Sequence, residues 1–543
     1  MSEQAIDRVV IAGSDEGVWL SALALHKGFA RAGVAVEVIE LPTLLQPSDV
    51  RPTLPHIRNF HRLLGLDPAE LVRHCGASFA VGQRFVGFGP QPFLHVYASA
   101  GASIGGLPFL QAWLKARAEG LTVAYEDFAA GAGLVRSGRF APPQDAQAAE
   151  AYDYGYHLHA AAYAGWLKAH AVHRGVTFRS VPELTPEVQD GQIKALILPD
   201  GHRVEADLFV DATGAAAQLI TALGGEDFED WAAWLPLNRL MVAAGKGLSP
   251  LPLHAQVTAH AQGWVGLYPH QGQTGMVMAY DGMAYDGMAC DGSGLSDEDA
   301  LKQLVALTGL TPVSGATVSA LRSGQRRRSW VGNCVAIGES ACALDPIDAS
   351  GLHIIQIGLT HLLSLFPVAR DLMPERDLFN ADVASHYQRL RNVSILHYAL
   401  NQRHGEALWD RVRQAEVPEE LAYKLRLFGD RGLLAHMDHE SFTEESWHML
   451  LLGHGLIPRT YDYRAEAIFP DPQRAMQGFQ NLLGAVRARA MSLPTHEQTL
   501  AQMASGQGFA DRGVADRGIG GRTAPEGGRR DGWLRPEQAE GWG

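Results

Sequence analysis

An unbroken apolar run at residues 9–12 stops at Gly13, and beyond it Trp19, Leu20, Leu23 and Phe29 recur near helical spacing through residues 17–32. Residues 34–42, VAVEVIELP, then alternate like a strand and end at Pro42. The pattern predicts a strand–helix–strand opening, the usual start of a nucleotide-binding α/β fold. Residues 191–214 carry two more strand signatures, with Pro199-Asp200-Gly201 as the turn of a hairpin and a glycine turn at the end. The apolar stretch 351–367 is interrupted by His353, Gln356, Thr360 and His361, which makes it an amphipathic or buried helix and not a membrane span.

From about Ser385 to Ala504 the pattern is mostly helical, clearest in DRVRQAEVPEELAYKLRLF and EESWHMLLLGHGL. A division follows: residues 1–384 as the nucleotide and substrate region, 385–504 as a helical subdomain, and 505–543 as a tail. That tail is rich in Gly, Arg and Asp and poor in aliphatics, the composition of a disordered segment. Residues 279–292, AYDGMAYDGMACDG, repeat a unit too short for a solenoid and are expected as an expanded hairpin loop without catalytic residues.

With 543 residues, 46% of them hydrophobic, the chain can bury a large core. Acidic residues outnumber basic ones 59 to 45, and the net charge of −14 argues against nucleic acid or an anionic membrane as the main partner. Cys75, Cys290, Cys334 and Cys342 are few and widely spaced, so buried free thiols in a reducing compartment are expected, and no zinc spacing occurs among them. The start MSEQAIDR has neither the basic nor the apolar region of a signal peptide, which points to a cytoplasmic protein.

A dinucleotide-binding turn reads G-x-G-x-x-G: the first glycine makes the tight turn, the second lets the backbone approach the pyrophosphate, and the third allows close helix packing. The register here is Gly13-Ser14-Asp15-Glu16-Gly17-Val18, which keeps only the first. Asp15 would face the pyrophosphate, and two unit charges about 4 Å apart cost ~4 kcal/mol at an effective dielectric near 20. Glu40, at the end of the second strand, is either an acceptor for an adenosine ribose or a solvated strand end.

The most specific segment is RRRSWVGNCVAIGESACALDPIDASGLHIIQIGLTHLLSLFP, residues 326–367. With PFLQAWL (108–114), YHLHAAAYAGWLKAHAVHRGV (156–176), EADLFVDATG (205–214), EDWAAWLP (229–236) and FTEESWHMLLLGHGLIPRTYD (442–462), it makes residues 1 to about 504 resemble the flavin-dependent tryptophan halogenases. The resemblance implies an FAD-binding, flavin-monooxygenase-like α/β fold, a Rossmann-type βαβ unit plus a substrate sheet, with a C-terminal helical subdomain. It implies FAD, reduced by a separate flavin reductase, and a small aromatic or indole-like substrate, with a homodimer left open. In that family reduced flavin, oxygen and halide give a hypohalous acid, which passes through a tunnel to a lysine and a glutamate beside the substrate. By the same resemblance Gly13, Glu40, Gly338, Glu339 and Pro346 bind the cofactor, the amides of Ser350 and Gly351 bind halide, and Trp264, Gly266 and Pro269 line the tunnel. No metal ligand is implied. Glu339 has an alternative role as a surface or helix-cap residue, and Ser350 one as a helix cap.

Several positions depart from the pattern. The lysine of A-T-F-K-x-G-x-x-F is Ala80 in Ala77-Ser78-Phe79-Ala80-Val81-Gly82-Gln83-Arg84-Phe85, and a methyl group neither forms a haloamine nor donates a hydrogen bond. Arg84 is the nearby cation, but its guanidinium is a poor nucleophile. The motif E-P-L-E-S-T-G becomes Asp345-Pro346-Ile347-Asp348-Ala349-Ser350-Gly351, so the catalytic carboxylate is Asp348, one methylene shorter, and the accompanying serine is Ala349. In W-x-W-x-I-P the second tryptophan is Gly266, expected to open space near the flavin or tunnel, while Trp264 and Tyr268 otherwise read as strand packing. Asp15→Gly with Val18→Gly is expected to raise FAD affinity. Two readings follow: an FADH2- and O2-dependent oxidoreductase with impaired or altered halogenation, or a non-catalytic binding or regulatory protein on the same fold that has lost FAD.

Overall fold

The computed structural model describes residues 5–144, 146–224, 227–282, 294–370 and 373–506. The repeated segment from residue 283, Cys290 and the tail from residue 507 lie outside these residues.

The chain opens as the hydrophobic pattern requires. Strand Arg8–Gly13 (β1) leads into helix Asp15–Phe29 (α1), and strand Ala35–Glu40 (β2) follows. β1 pairs in parallel with β2 on one side and with Leu208–Ala212 on the other. The six-stranded sheet is completed by Cys334–Ala336 and Thr177–Ser180 in parallel, with Trp330–Val331 antiparallel at the edge. β1 is buried from Val9 onward, as befits a strand covered on both faces. The expected hairpin forms between Gln192–Ile197 and Arg203–Val204, while the last strand of that segment, Leu208–Ala212, leaves it for the main sheet.

A second, seven-stranded sheet runs Thr317–Ala320, Arg239–Lys246, Gln273–Tyr280, Gly263–His270, Ala255–His260, Gly82–Val86 and Phe93–Val96. It carries the residues Trp264 to Pro269 at its centre. Ser78–Ala80 belongs to a separate three-stranded sheet, where Ala80 pairs with Gly155. The described cysteines Cys75, Cys334 and Cys342 are free and buried, and no described helix is long and apolar enough to cross a membrane.

The stretch 351–367 forms the helix Gly351–Ser364, and the helix Glu375–Ala399 follows it. The boundary expected between residues 384 and 385 therefore falls inside a continuous helix of 25 residues. Its buried face, Ser394 to Tyr398, reaches into the centre described next, so the helical part is not set apart from the first region.

Candidate functional site

At the nucleotide end, Gly13 closes β1 against Leu208–Ala212. A Cβ on Gly13 would lie 2.0 Å from the Ala212 carbonyl oxygen, so the close approach requires glycine. Asp15 takes φ +59°, the left-handed conformation of a turn glycine, which Asp tolerates better than most residues. Its carboxylate accepts from the Thr43 hydroxyl and, at 3.1 Å, from the Leu44 N–H. The neighbouring Glu16 is buried and paired with Arg51. Glu40 is not a bare strand end: Lys168 Nζ donates to its two oxygens at 2.8 and 2.7 Å, and the Ser180 hydroxyl donates as well. Asp15, Trp19, Glu40, Thr43, Lys168 and Val181 line one open cleft of about 600 Å³. Val18 is wholly buried on α1, so Val18→Gly removes core packing in addition to any effect on the turn. Glu339 is exposed on the short turn Gly338–Ser340, and Gly338 is buried at φ +66°.

The second half of the site is a buried polar centre around the loop 345–351. Asp345 accepts from Trp264 Nε1 at 3.1 Å, the Ile347 N–H at 3.1 Å and the Tyr398 hydroxyl. Burial pushes its carboxyl up to about 6 despite these donors. Asp348 is 1% exposed. Its Oδ1 lies 2.9 Å from His397 Nε2, and its Oδ2 accepts from Ser394 Oγ at 2.8 Å. His397 Nδ1 in turn lies 3.1 Å from His454 Nε2, giving an Asp–His–His chain. Burial and the adjacent His397 hold His454 well below the usual imidazole range. His95 stands in the same centre, its ring nitrogens without hydrogen-bond partners, and burial pushes it down to about 4. Gln83, cross-strand from His95, donates to the Ile347 carbonyl at 2.9 Å.

Three expectations are corrected here. Gly266 opens no space, because a Cβ on it would meet the Tyr268 ring at 2.6 to 2.9 Å: the side chain two residues along the same strand face folds over the gap. Trp264 and Tyr268 do not merely pack a strand, since Trp264 also fixes Asp345. Ser350 occupies the cap position of the helix Gly351–Ser364, but its hydroxyl makes no capping bond and is buried without a partner. Ala80 is 2% exposed, and its methyl adds no polar group. Arg84 is exposed on its strand and donates to Gln256. Pro269 contributes its carbonyl, which accepts from Ser78 Oγ at 2.6 Å and lies 2.8 Å from His157 Nδ1. Pro346 opens the short turn before Asp348.

Residues 8–470 match the family model described as tryptophan halogenase. The chain belongs to the tryptophan halogenase family. Tryptophan 6-halogenase SttH of Streptomyces toxytricini is 27% identical over 93% of this chain and 99% of its own length. Among solved structures, BrvH, a flavin-dependent halogenase from Brevundimonas sp. BAL3, is 30% identical with a TM-score of 0.84, covering 92% of this chain and 99% of that one. Xcc4156, a flavin-dependent halogenase from Xanthomonas campestris, is 28% identical with a TM-score of 0.85 over the same shares.

A flavin-dependent halogenase implies FAD, and the residues present fit it. Glu40 accepts three hydrogen bonds from Lys168 and Ser180, which leaves acceptor capacity on Oε1, and it lines the cleft. Gly13 preserves the close turn below the first amides of α1. At the other end Gly351 is exposed, and a Cβ there would meet nothing within 4 Å, so the helix begins on open space. Asp15 is an opposing charge at the turn itself. Asp15→Gly alone, without Val18→Gly, is expected to tighten FAD binding at least tenfold, about 1.4 kcal/mol, in a fluorescence titration.

The polar partners of Asp345 and Asp348 were not singled out from the sequence. A usable signal existed: Ser394, His397 and Tyr398 stand at i, i+3 and i+4, one helix face, within an otherwise apolar stretch. Asp345 also yields a pH prediction. Its folded carboxyl binds a proton more tightly than an unfolded aspartate near 4, so stability falls as pH rises from about 4 through about 6. The denaturant midpoint of Asp345→Asn, compared with that of the unaltered protein at pH 4.5 and 7, is expected to lose this component, of which roughly 2 kcal/mol falls between those two pH values.

Proposed function

We propose that this chain is a reduced-FAD- and O2-dependent oxidoreductase acting on a small aromatic, indole-like substrate, in which the lysine-directed halogenation of its relatives is replaced or weakened. One observation carries the reading: Asp348, at the family's catalytic carboxylate, sits in a buried Asp–His–His chain, while the lysine position holds the methyl of Ala80.

With FAD held there and reduced by a separate flavin reductase, the group would supply the electrons that activate oxygen. Glu40 is positioned for the ribose, and the turn at Gly13 with the first amides of α1 for the pyrophosphate. The backbone amides of Ser350 and Gly351, at a helix N-terminus, favour a halide or another small anion. Asp348 stabilises positive charge developing on an aromatic ring. A proton taken at its Oδ1 is shared with His397 Nε2 at 2.9 Å, with His454 next in line. None of the lysines for which a partner is described takes over from Ala80: Lys115, Lys168, Lys302 and Lys424 are all paired to carboxylates elsewhere. His95, neutral and unpaired, is the donor in the same centre able to hydrogen-bond an oxidant or substrate, though it forms no haloamine as lysine does.

The test is FAD titration in both redox states, followed by turnover with a flavin reductase, oxygen, bromide and a panel of indoles. FAD is expected to bind and aromatic product to form, with Ala80→Lys raising the brominated fraction. No binding in either redox state would establish the non-catalytic reading instead. Bromination by the unaltered protein that Ala80→Lys does not increase would overturn the role assigned to Ala80.

A further inference from the structure

We propose that His361, His386 and His439, backed by the carboxylate of Asp382, form a three-histidine binding site for a zinc-type divalent transition-metal ion, outside the flavin and substrate region. One ring nitrogen from each of the three histidines lies within 4.8 Å of the others, and all three side chains are half-buried. His361 Nε2 and His386 Nδ1 are 3.0 Å apart. Asp382 lies on the other side of the His361 ring, 3.8 Å from its Nδ1 and 3.6 Å from His439 Nε2, so its carboxylate orients two of the rings and does not join the three converging nitrogens.

Three separate elements meet at this point. His361 is in the last turn of the helix Gly351–Ser364, Asp382 and His386 lie one turn apart on the helix Glu375–Ala399, and His439 comes from the loop before the helix Glu444–Gly453. That loop is pinned on both sides of His439. Arg389 Nε donates to the Asp438 carbonyl at 3.3 Å, Lys424 and Trp447 Nε1 hold the Glu440 carboxylate, and Ser441 Oγ lies 2.8 Å from His353 Nε2. His439 itself takes φ +64°, a costly conformation for a residue with a side chain, kept where its surroundings dictate it. The long-range contacts thus fix an imidazole where two others already converge.

Three imidazoles, with a fourth position left for water, are a donor set for Zn2+ and its first-row neighbours, and a poor one for Mg2+ or Ca2+, which require oxygen ligands. Zn–N bonds of about 2.0–2.1 Å place tetrahedral nitrogens about 3.3 Å apart. The present separations bracket that value, so rotation of the rings completes the site and the ion replaces the His361–His386 hydrogen bond. The opposing charge in the neighbourhood is Arg389, which is tied to Glu420. His56 and His353, stacked at 4.4 Å, border the cluster without completing it. An ion here would brace the far end of the helix that begins at Gly351 against the helix that carries Ser394, His397 and Tyr398.

The experiment uses full-length protein without a histidine tag, freed of metal by a chelator and dialysed against Zn2+ or Co2+. Elemental analysis is expected to find one Zn2+ per chain. Co2+ should give the intense visible absorption of a four-coordinate site, and Zn2+ should raise the thermal midpoint. His386→Ala and His439→Ala should each weaken binding at least tenfold and abolish the thermal shift, while His202→Ala, exposed elsewhere, leaves both unchanged. His439→Ala alters a loop, so it reports even if His386→Ala fails to fold. Less than stoichiometric retention by the unaltered protein, a weak six-coordinate Co2+ spectrum, or full affinity in His439→Ala would overturn the proposal.

Discussion

Replacing Gly13 by alanine is expected to leave little soluble, folded protein. The added methyl would stand 2.0 Å from the Ala212 oxygen and 2.3 Å from its carbonyl carbon, distances no side-chain rotation relieves because both partners are backbone. The strands must part by more than 1 Å at the middle of the main sheet, where Gly13 is in register with Ala212. The expected loss exceeds ~4 kcal/mol, much of the ~5–15 kcal/mol that holds a typical domain, and is read as soluble yield and denaturant midpoint. Gly17→Ala makes the contrast. Its Cβ would meet only Ala212 Cβ at 3.7 Å, an ordinary contact, and removing a helical glycine should leave stability unchanged or raise it by roughly 0.5–1 kcal/mol. Equal losses in the two variants would show that the turn does not make this close approach.

Removing the carboxylate at position 348 is the second large effect. Asp348→Ala leaves His397 Nε2 and the Ser394 hydroxyl without their acceptor in a centre that excludes water. A stability loss of about 3 kcal/mol or more is expected, with product formation falling at least a hundredfold. Asp348→Asn keeps the volume and one acceptor oxygen, so its stability loss should be smaller while activity falls as far. That split between folding and turnover separates a charge used in the reaction from one that only holds the helix in place. Activity in Asp348→Asn close to that of the unaltered protein would remove the carboxylate from the mechanism.

The legible parts of this molecule are those governed by local periodicity. β1, α1 and β2 stand where residues 9–42 put them, because a strand buried on both faces and a helix with one apolar side each leave a short-range trace. The helices Gly351–Ser364 and Glu444–Gly453 were readable for the same reason. What local pattern does not carry is partnership across the fold. Asp348 finds its hydrogen bonds 46 and 49 residues away, and Asp345 finds Tyr398 53 residues on. Gly266 shows a different limit: a missing side chain reads as space, but the strand's own period of two brings Tyr268 over it. At Ser350 the residue type suggested a cap, and the buried hydroxyl is instead unpartnered.

The helix Glu375–Ala399 bears on how such proteins can be recombined. Near its start Asn380 clasps the backbone of Trp330, donating at 3.0 Å and accepting at 2.8 Å, and near its end Ser394, His397 and Tyr398 fix both aspartates. A crossover between two relatives inside this helix would therefore divide one parent's sheet-edge clasp from its own acid-holding triplet. Chimeras joined there would inherit mismatched halves of a single rod, whereas junctions on either side of it pass the whole set to the offspring intact.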